Sequence, residues 1–161
     1  MKKIVTMTLA AMAFVMSLSS CSKDDDDDKK VEALATQVAG SYSGNEVVKV
    51  MGEESSNEVK TYVFVKASDT SVDLTIPQVG MGMMTIPALP VKGISLTKSG
   101  NTITGKLDSY EGVVTNASGE EKNYTISNLA LVFSDKTIAV TFSLKYGNMP
   151  MTMDTTFTGT K

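Results

Sequence analysis

An all-β fold, with eight antiparallel strands closing up-and-down into a barrel, is what this sequence predicts, and three observations carry it. From residue 40 onward apolar residues recur at alternate positions, the period of a strand with one face buried. Minimal turns follow every second strand, at Ser68-Asp69, Ser99-Gly100 and Ser134-Asp135. Only one stretch has helical spacing, with Val31, Leu34, Ala35 and Val38 on one face leading into Gly40.

The strands follow in order. Residues 41–51 and 58–67 come first, then 70–77, where Val72, Leu74 and Ile76 alternate with polar residues. Ile94 and Leu96 mark 91–98, and Ile103, Gly105 and Leu107 mark 101–110. Between Tyr124-Ile126 and Leu129-Leu131-Phe133 the strand at 122–134 changes phase, which predicts a bulge near Ser127-Asn128. Ile138, Val140, Phe142, Leu144 and Tyr146 make 136–146 the clearest strand, and 151–160 is the last.

Connections after strands one, three, five and seven read as longer than those after two, four and six. In an up-and-down sheet alternate connections share an end, so the tight turns collect at one end and the long loops at the other. Closure removes the sheet edges, and the short N-terminal helix is expected to plug the tight-turn end. A β-sandwich is the alternative, and it would scatter long connections over both ends.

The N-terminus is built like a secretory signal. Lys2 and Lys3 form a basic start, residues 4–15 are mostly apolar, and small residues precede Cys21. The apolar run is too short to span a bilayer. Leu18-Ser19-Ser20-Cys21 resembles the bacterial lipobox, which implies that the Cys21 thiol is acylated and that the cysteine becomes the new N-terminus. More than one acyl chain gives a stable membrane hold. Lys23 and the run Asp24, Asp25, Asp26, Asp27, Asp28 come next. Such a block buries no apolar area and repels itself, so it reads as a solvated tether. Its unbroken carboxylates lack the spacing and turn residue of a calcium loop. The block resembles the surface-export signal of lipoproteins from anaerobic Gram-negative gut bacteria, and that resemblance implies an outer-membrane protein facing the cell exterior. The chain thus divides into a signal peptide (1–20), a lipidated cysteine with acidic tether (21–30) and a barrel domain (31–161).

Composition excludes several chemistries. The chain of 161 residues has no His, no Trp and a single Cys, and all 15 of its basic residues are Lys. Without His the usual general base and the usual transition-metal ligand are absent, and no Ser-His or Cys-His couple can form. Without Arg there is no bidentate anion clamp, and a net charge of -3 gives no basic face for nucleic acid. No enzyme activity, metal or cofactor is expected, and the membrane is engaged only through Cys21.

Ala39-Gly40-Ser41-Tyr42-Ser43-Gly44 precedes the run of meander strands. With the lipoprotein signal, acidic tether and short helix before it, this order resembles the calycin-like β-barrel lipoproteins of those gut bacteria, distant relatives of the lipocalins. Gly40-Ser41-Tyr42 sits where lipocalins carry Gly-any-Trp, which implies that Tyr42 packs across the barrel floor. This chain has no arginine to stack on that ring from a late strand. The resemblance implies a fold and a location and no established activity.

Six of the seven methionines after residue 21 fall in two groups: Met81, Met83 and Met84, and Met149, Met151 and Met153. Strand parity puts both groups at the long-loop end, with Glu53, Glu54, Glu120 and Glu121. Unbranched thioethers suit surfaces that adapt to varied apolar shapes, so Met81, Met83, Met84, Met149 and Met151 are candidate contacts for a small apolar ligand. The other reading makes the methionines plain filler of the barrel end. Two functions follow, a surface-tethered module binding such a ligand, or a filled barrel that presents its loops to an envelope or host protein. A continuous interior cavity separates them.

Overall fold

The computed structural model describes residues 32–81 and 84–161; the signal and tether, with Cys21, Lys23 and Asp24 to Asp28, lie outside the described residues, as does Met83. The helix α1 (Leu34–Val38) leads into β1 (Gly40–Val50), β2 (Glu53–Ser68) and β3 (Ser71–Ile76). A small hairpin, β4 (Val79–Met81) and β5 (Met84–Ile86), precedes β6 (Leu89–Ser99), β7 (Thr102–Thr115), β8 (Glu121–Ser134), β9 (Thr137–Tyr146) and β10 (Met153–Thr160). Eight strands form one closed barrel in the order β1-β10-β9-β8-β7-β6-β3-β2, every neighbour antiparallel. The up-and-down barrel is therefore observed, and the sandwich is excluded.

Closure follows from alternation. In β9 Ile138, Val140, Phe142, Leu144 and Tyr146 are all buried. In β10 the buried set is Met153, Thr155, Phe157 and Gly159, leaving Asp154 and Thr156 outside. Hydroxyl pairs such as Ser43–Thr61 and Thr97–Thr104 bridge neighbouring strands on the outer face, at 2.9 and 3.0 Å. The predicted phase change in β8 is a bulge: the register with β9 shifts between Ser127 and Ala130, and Asn128 takes a positive φ of 54°. Aromatic side chains fill the interior. Tyr62 stacks on Phe157 at 4.1 Å, and Tyr42, Phe64 and Phe133 form a cluster with ring centroids 5.2–5.7 Å apart.

Two expectations need correction. The first connection is not long: β1 and β2 run on to the two-residue turn Met51-Gly52, both at positive φ (54° and 86°), the turn whose twist matches paired strands. Its polar flank, Glu53-Glu54-Ser55-Ser56-Asn57, hides the strand from a hydrophobic pattern, because this arm of the hairpin is largely exposed. The second correction concerns residues 78–90, read as a loop. They contain the β4–β5 hairpin, with Val79 paired to Ile86 and both side chains buried.

Candidate functional site

The long-loop end of the barrel is stoppered from above. In the β4–β5 hairpin the directly paired Val79 and Ile86 are buried in the core, with Leu89 just beyond, whereas Met84, on the face of Ile86 but next to the hairpin tip, is 42% exposed. A hydrogen bond from Lys60 Nζ to the Gln78 carbonyl (3.1 Å) ties the hairpin base to β2. The barrel is thus filled by Val79, Ile86 and Leu89 here, and the exposed Met84 is not its stopper. Among the described residues Met153 serves as filler, fully buried in β10.

Beside the hairpin two loops are held rigid by their own polar groups. In the β7–β8 connection (116–120) the Asn116 side-chain oxygen Oδ1 accepts the backbone N–H groups of Ser118 and Glu120, both at 2.9 Å. Asn116 Nδ2 donates to Glu120 Oε2 at 3.2 Å, and Lys122 Nζ pairs with the same oxygen at 3.0 Å. These contacts hold the Glu120 carboxyl below its ordinary range, the Lys122 hydrogen bond foremost. In the β9–β10 connection (147–152) Gly147 N–H donates to the Asn123 carbonyl at 2.7 Å, and Met149 N–H to that of Tyr146 at 3.2 Å.

Hairpin and loops enclose an open cleft of about 580 Å³. Met84 and Thr85 form one wall; Asn116, Ala117, Ser118 and Lys122 form another; Tyr146, Gly147, Asn148 and Met149 complete it. The structure therefore brings together Met84 and Met149, one candidate from each methionine group. Met151 lies just before β10, 38% exposed, and is not among the residues that line the cleft. Met81 pairs with Met84 across the hairpin, its side chain outside the described residues. Of the acidic rim, Glu120 is committed to Lys122 and Asn116, whereas Glu53 and Glu54 begin β2 beyond the Met51-Gly52 turn.

Sequence reasoning missed two residues. Tyr146 lines the cleft while only 6% exposed, and its hydroxyl has no hydrogen-bond partner among the described residues. Its place in the alternation marked it as an inward residue, and nothing in the sequence distinguishes an orphaned hydroxyl from a bonded one. Glu46 is 1% exposed and accepts a hydrogen bond from Tyr62 Oη at 2.5 Å. Burial raises its pKa above the ordinary carboxyl value, and its nearness and hydrogen bond add to burial in pushing the Tyr62 hydroxyl up as well. A signal for Glu46 was there: it shares the inward phase of Tyr42 and Val48. Among the described residues no group of three or more His, Cys, Asp or Glu side chains could hold a metal ion.

At the opposite end the resemblance to the lipocalin floor takes physical form. Tyr42 is buried and donates to the Val38 carbonyl at 3.0 Å, and Ala35 N–H donates to the carbonyl of Asp69 in the β2–β3 turn at 3.1 Å. So α1 plugs the tight-turn end. No arginine covers the Tyr42 ring, but Lys161 does, with Nζ 5.9 Å from its centroid. Gly40, at φ 139°, permits that approach, since a Cβ there would stand 2.7 Å from Lys161 Cε.

Comparison with known proteins agrees with this architecture. No curated protein matches the chain. A crystal structure of a candidate outer membrane protein from Bacteroides fragilis superposes with a TM-score of 0.65 at 22% identity, covering 81% of this chain. The chain spans only about half of that protein, 53% of its length, so the likeness is one of fold. The family model for the calycin-like β-barrel domain matches residues 38–160, from the end of α1 to the last residue of β10. With the closed barrel, the plugged floor and that match over most of its length, the chain belongs to the calycin-like β-barrel domain family.

Proposed function

We propose that this protein is an outer-membrane lipoprotein, tethered through Cys21 and displayed to the cell exterior, whose barrel binds a small apolar ligand at its mouth. The observation that carries the binding reading is the cleft of about 580 Å³ with Met84 and Met149 in its walls, within the size range of small-molecule sites. The barrel interior is not that site, because Tyr62, Phe157, Phe64 and Phe133 occupy it. Adaptable thioethers over a filled barrel favour a ligand held at the rim.

Composition supports binding over catalysis: a chain with no His and no Arg lacks the residues that most often move protons or clamp anions. Anchoring by Cys21 is supported by the outer face of the barrel, where the hydroxyl pairs Ser43–Thr61 and Thr97–Thr104 interrupt the exposed valines, unlike the continuous apolar band of a membrane-spanning barrel. The acidic run at residues 24–28 supports display.

One observation favours the second reading, a scaffold that presents its loops to an envelope or host protein. The packed interior meets the expectation for a barrel that holds nothing inside, and Met51, Met84 and Met151 are exposed on or beside connecting segments. An environment-sensitive lipophilic dye separates the two. Saturable binding that weakens at least tenfold in Met84→Ser/Met149→Ser, with an unchanged melting midpoint, is expected of a mouth site; unsaturable binding rejects it for the scaffold. Cys21→Ala should move the protein from membranes to the soluble periplasmic fraction, and persistent sedimentation would overturn the lipid anchor.

A further inference from the structure

We propose that the mouth cleft selects apolar molecules that carry one uncharged hydrogen-bond acceptor, such as a ketone, ester or amide carbonyl, and that the Tyr146 hydroxyl is the donor that reads it. The inference rests on the mouth-binding reading above and adds to it the ligand's polar group and the residue that recognises it.

The starting point is the cost of an orphan. A buried hydroxyl without a partner is destabilising, and such groups are rare enough in folded proteins that each calls for a reason. Among the described residues Tyr146 carries the one buried side-chain polar atom left without a partner, and Tyr146 lines the cleft. The other tyrosine hydroxyls nearby are employed: Tyr124 donates to the Pro90 carbonyl, and Tyr62 to Glu46. The hydroxyl has essentially no accessible surface in this structure, so an acceptor reaches it only as the flexible thioether walls give way, and then gains a bond with a group already stripped of water.

Lys122, the charged side chain among the lining residues, decides the acceptor's charge. Asn116 spends its side-chain oxygen on two backbone N–H groups and its amide on Glu120, and Lys122 is paired with Glu120. The local cation is therefore already neutralised. A carboxylate ligand would have to displace Glu120 from Lys122 or lie unpaired close to it, whereas a neutral carbonyl needs only one donor. Met84 and Met149 supply flexible apolar walls for the rest of the molecule.

Three probes of one shape test this: 2-acetylnaphthalene, with a carbonyl; 2-ethylnaphthalene, without; and 2-naphthoate, with a charge. Their displacement of a bound lipophilic dye is measured on the full chain carrying Cys21→Ala, so that no detergent competes. Wild-type mouth chemistry should bind the ketone at least tenfold more tightly than the ethyl compound and than the anion. In Tyr146→Phe that preference should vanish while 2-ethylnaphthalene binds as before, which also shows that the variant is folded. A ketone preference that survives in Tyr146→Phe overturns the assignment of the donor. Equal binding of ketone and ethyl compound by the parent chain overturns the selectivity and leaves the mouth site standing. Tightest binding of the anion overturns the uncharged acceptor. Failure of all three probes and of the dye to bind removes the mouth site itself, and this inference with it.

Discussion

At the floor of the barrel Tyr42 meets Phe64 edge-on at 5.6 Å, Phe133 closes the cluster, α1 lies beneath and Lys161 caps the Tyr42 ring. At the mouth the two three-residue strands of a hairpin place Val79 and Ile86 in the core and leave Met84, nearer the tip, 42% exposed, and the neighbouring loops stand apart far enough to leave a cleft. Both ends bury apolar surface. The floor does so with large rigid rings in fixed mutual geometry, the mouth with small aliphatics below and unbranched thioethers above. One end is built to stay closed, and the other has side chains that can rearrange without disturbing what lies underneath.

The sharpest way to break this comparison is to delete one large side chain from each end. Phe64→Ala should cost about 3–5 kcal/mol, because it removes a fully buried ring from three-way aromatic contact and the surrounding strands cannot collapse into the space. Met84→Ala should change stability by no more than about 0.5 kcal/mol, as a substitution at a surface position does. Urea unfolding of both variants measures the contrast. A loss at Met84 approaching that at Phe64 would make the mouth part of the core and remove the distinction.

What the sequence made legible tracks the same division. The floor could be read because alternation over β9 and over the end of β8, Leu129-Leu131-Phe133, is strict, and because Gly40-Ser41-Tyr42 concentrates its signal in three residues. The mouth was only half legible. Met84 and Met149 stood out by composition, and strand parity correctly put them together. The hairpin that presents Met84 was invisible, since Val79-Gly80-Met81 and Met84-Thr85-Ile86 are too short for a period to show. Strand β2 was truncated for a related reason: its first residues pair with β1 but bury nothing, and a hydrophobic pattern cannot report a strand with two wet faces.

Glu46 belongs to neither end, and its titration sharpens the comparison by probing the wall between them. Burial raises its pKa in the folded domain above the ordinary value of 4.5, with the Tyr62 hydrogen bond and Lys60 pulling the other way. The folded state then holds this proton more tightly than the unfolded chain. Its contribution to stability is fully present below about pH 4.5 and is lost as pH rises through the folded pKa. Glu46→Gln keeps a hydrogen-bonding group beside Tyr62 without the charge, so its stability should stay flat across that interval. Glu120, exposed at the mouth and held below its ordinary pKa, has the opposite sense, its contribution fading as pH falls. Unfolding midpoints of wild type and Glu46→Gln between pH 4 and 8 test the sign, and parallel curves would show that Glu46 does not set the slope.

The smallest effect expected is a gain. Met51 is 81% exposed at the tip of the β1–β2 hairpin and holds φ at 54°, a left-handed conformation that costs a long side chain energy and suits Asn or Gly. Asn-Gly is the favoured pair for a two-residue turn with both central residues at positive φ, and the exposed Met51 side chain contributes little burial to lose. Met51→Asn should therefore raise stability by about 0.5–1 kcal/mol, through relief of backbone strain alone. Dye binding should not change, since Met51 is absent from the cleft walls. Denaturant midpoints and a dye titration on one preparation decide it. Should stability rise while binding weakens, the adaptable surface of the mouth reaches past Met84 and Met149 to the hairpin tip, and the strain at Met51 is what holds a third thioether in position.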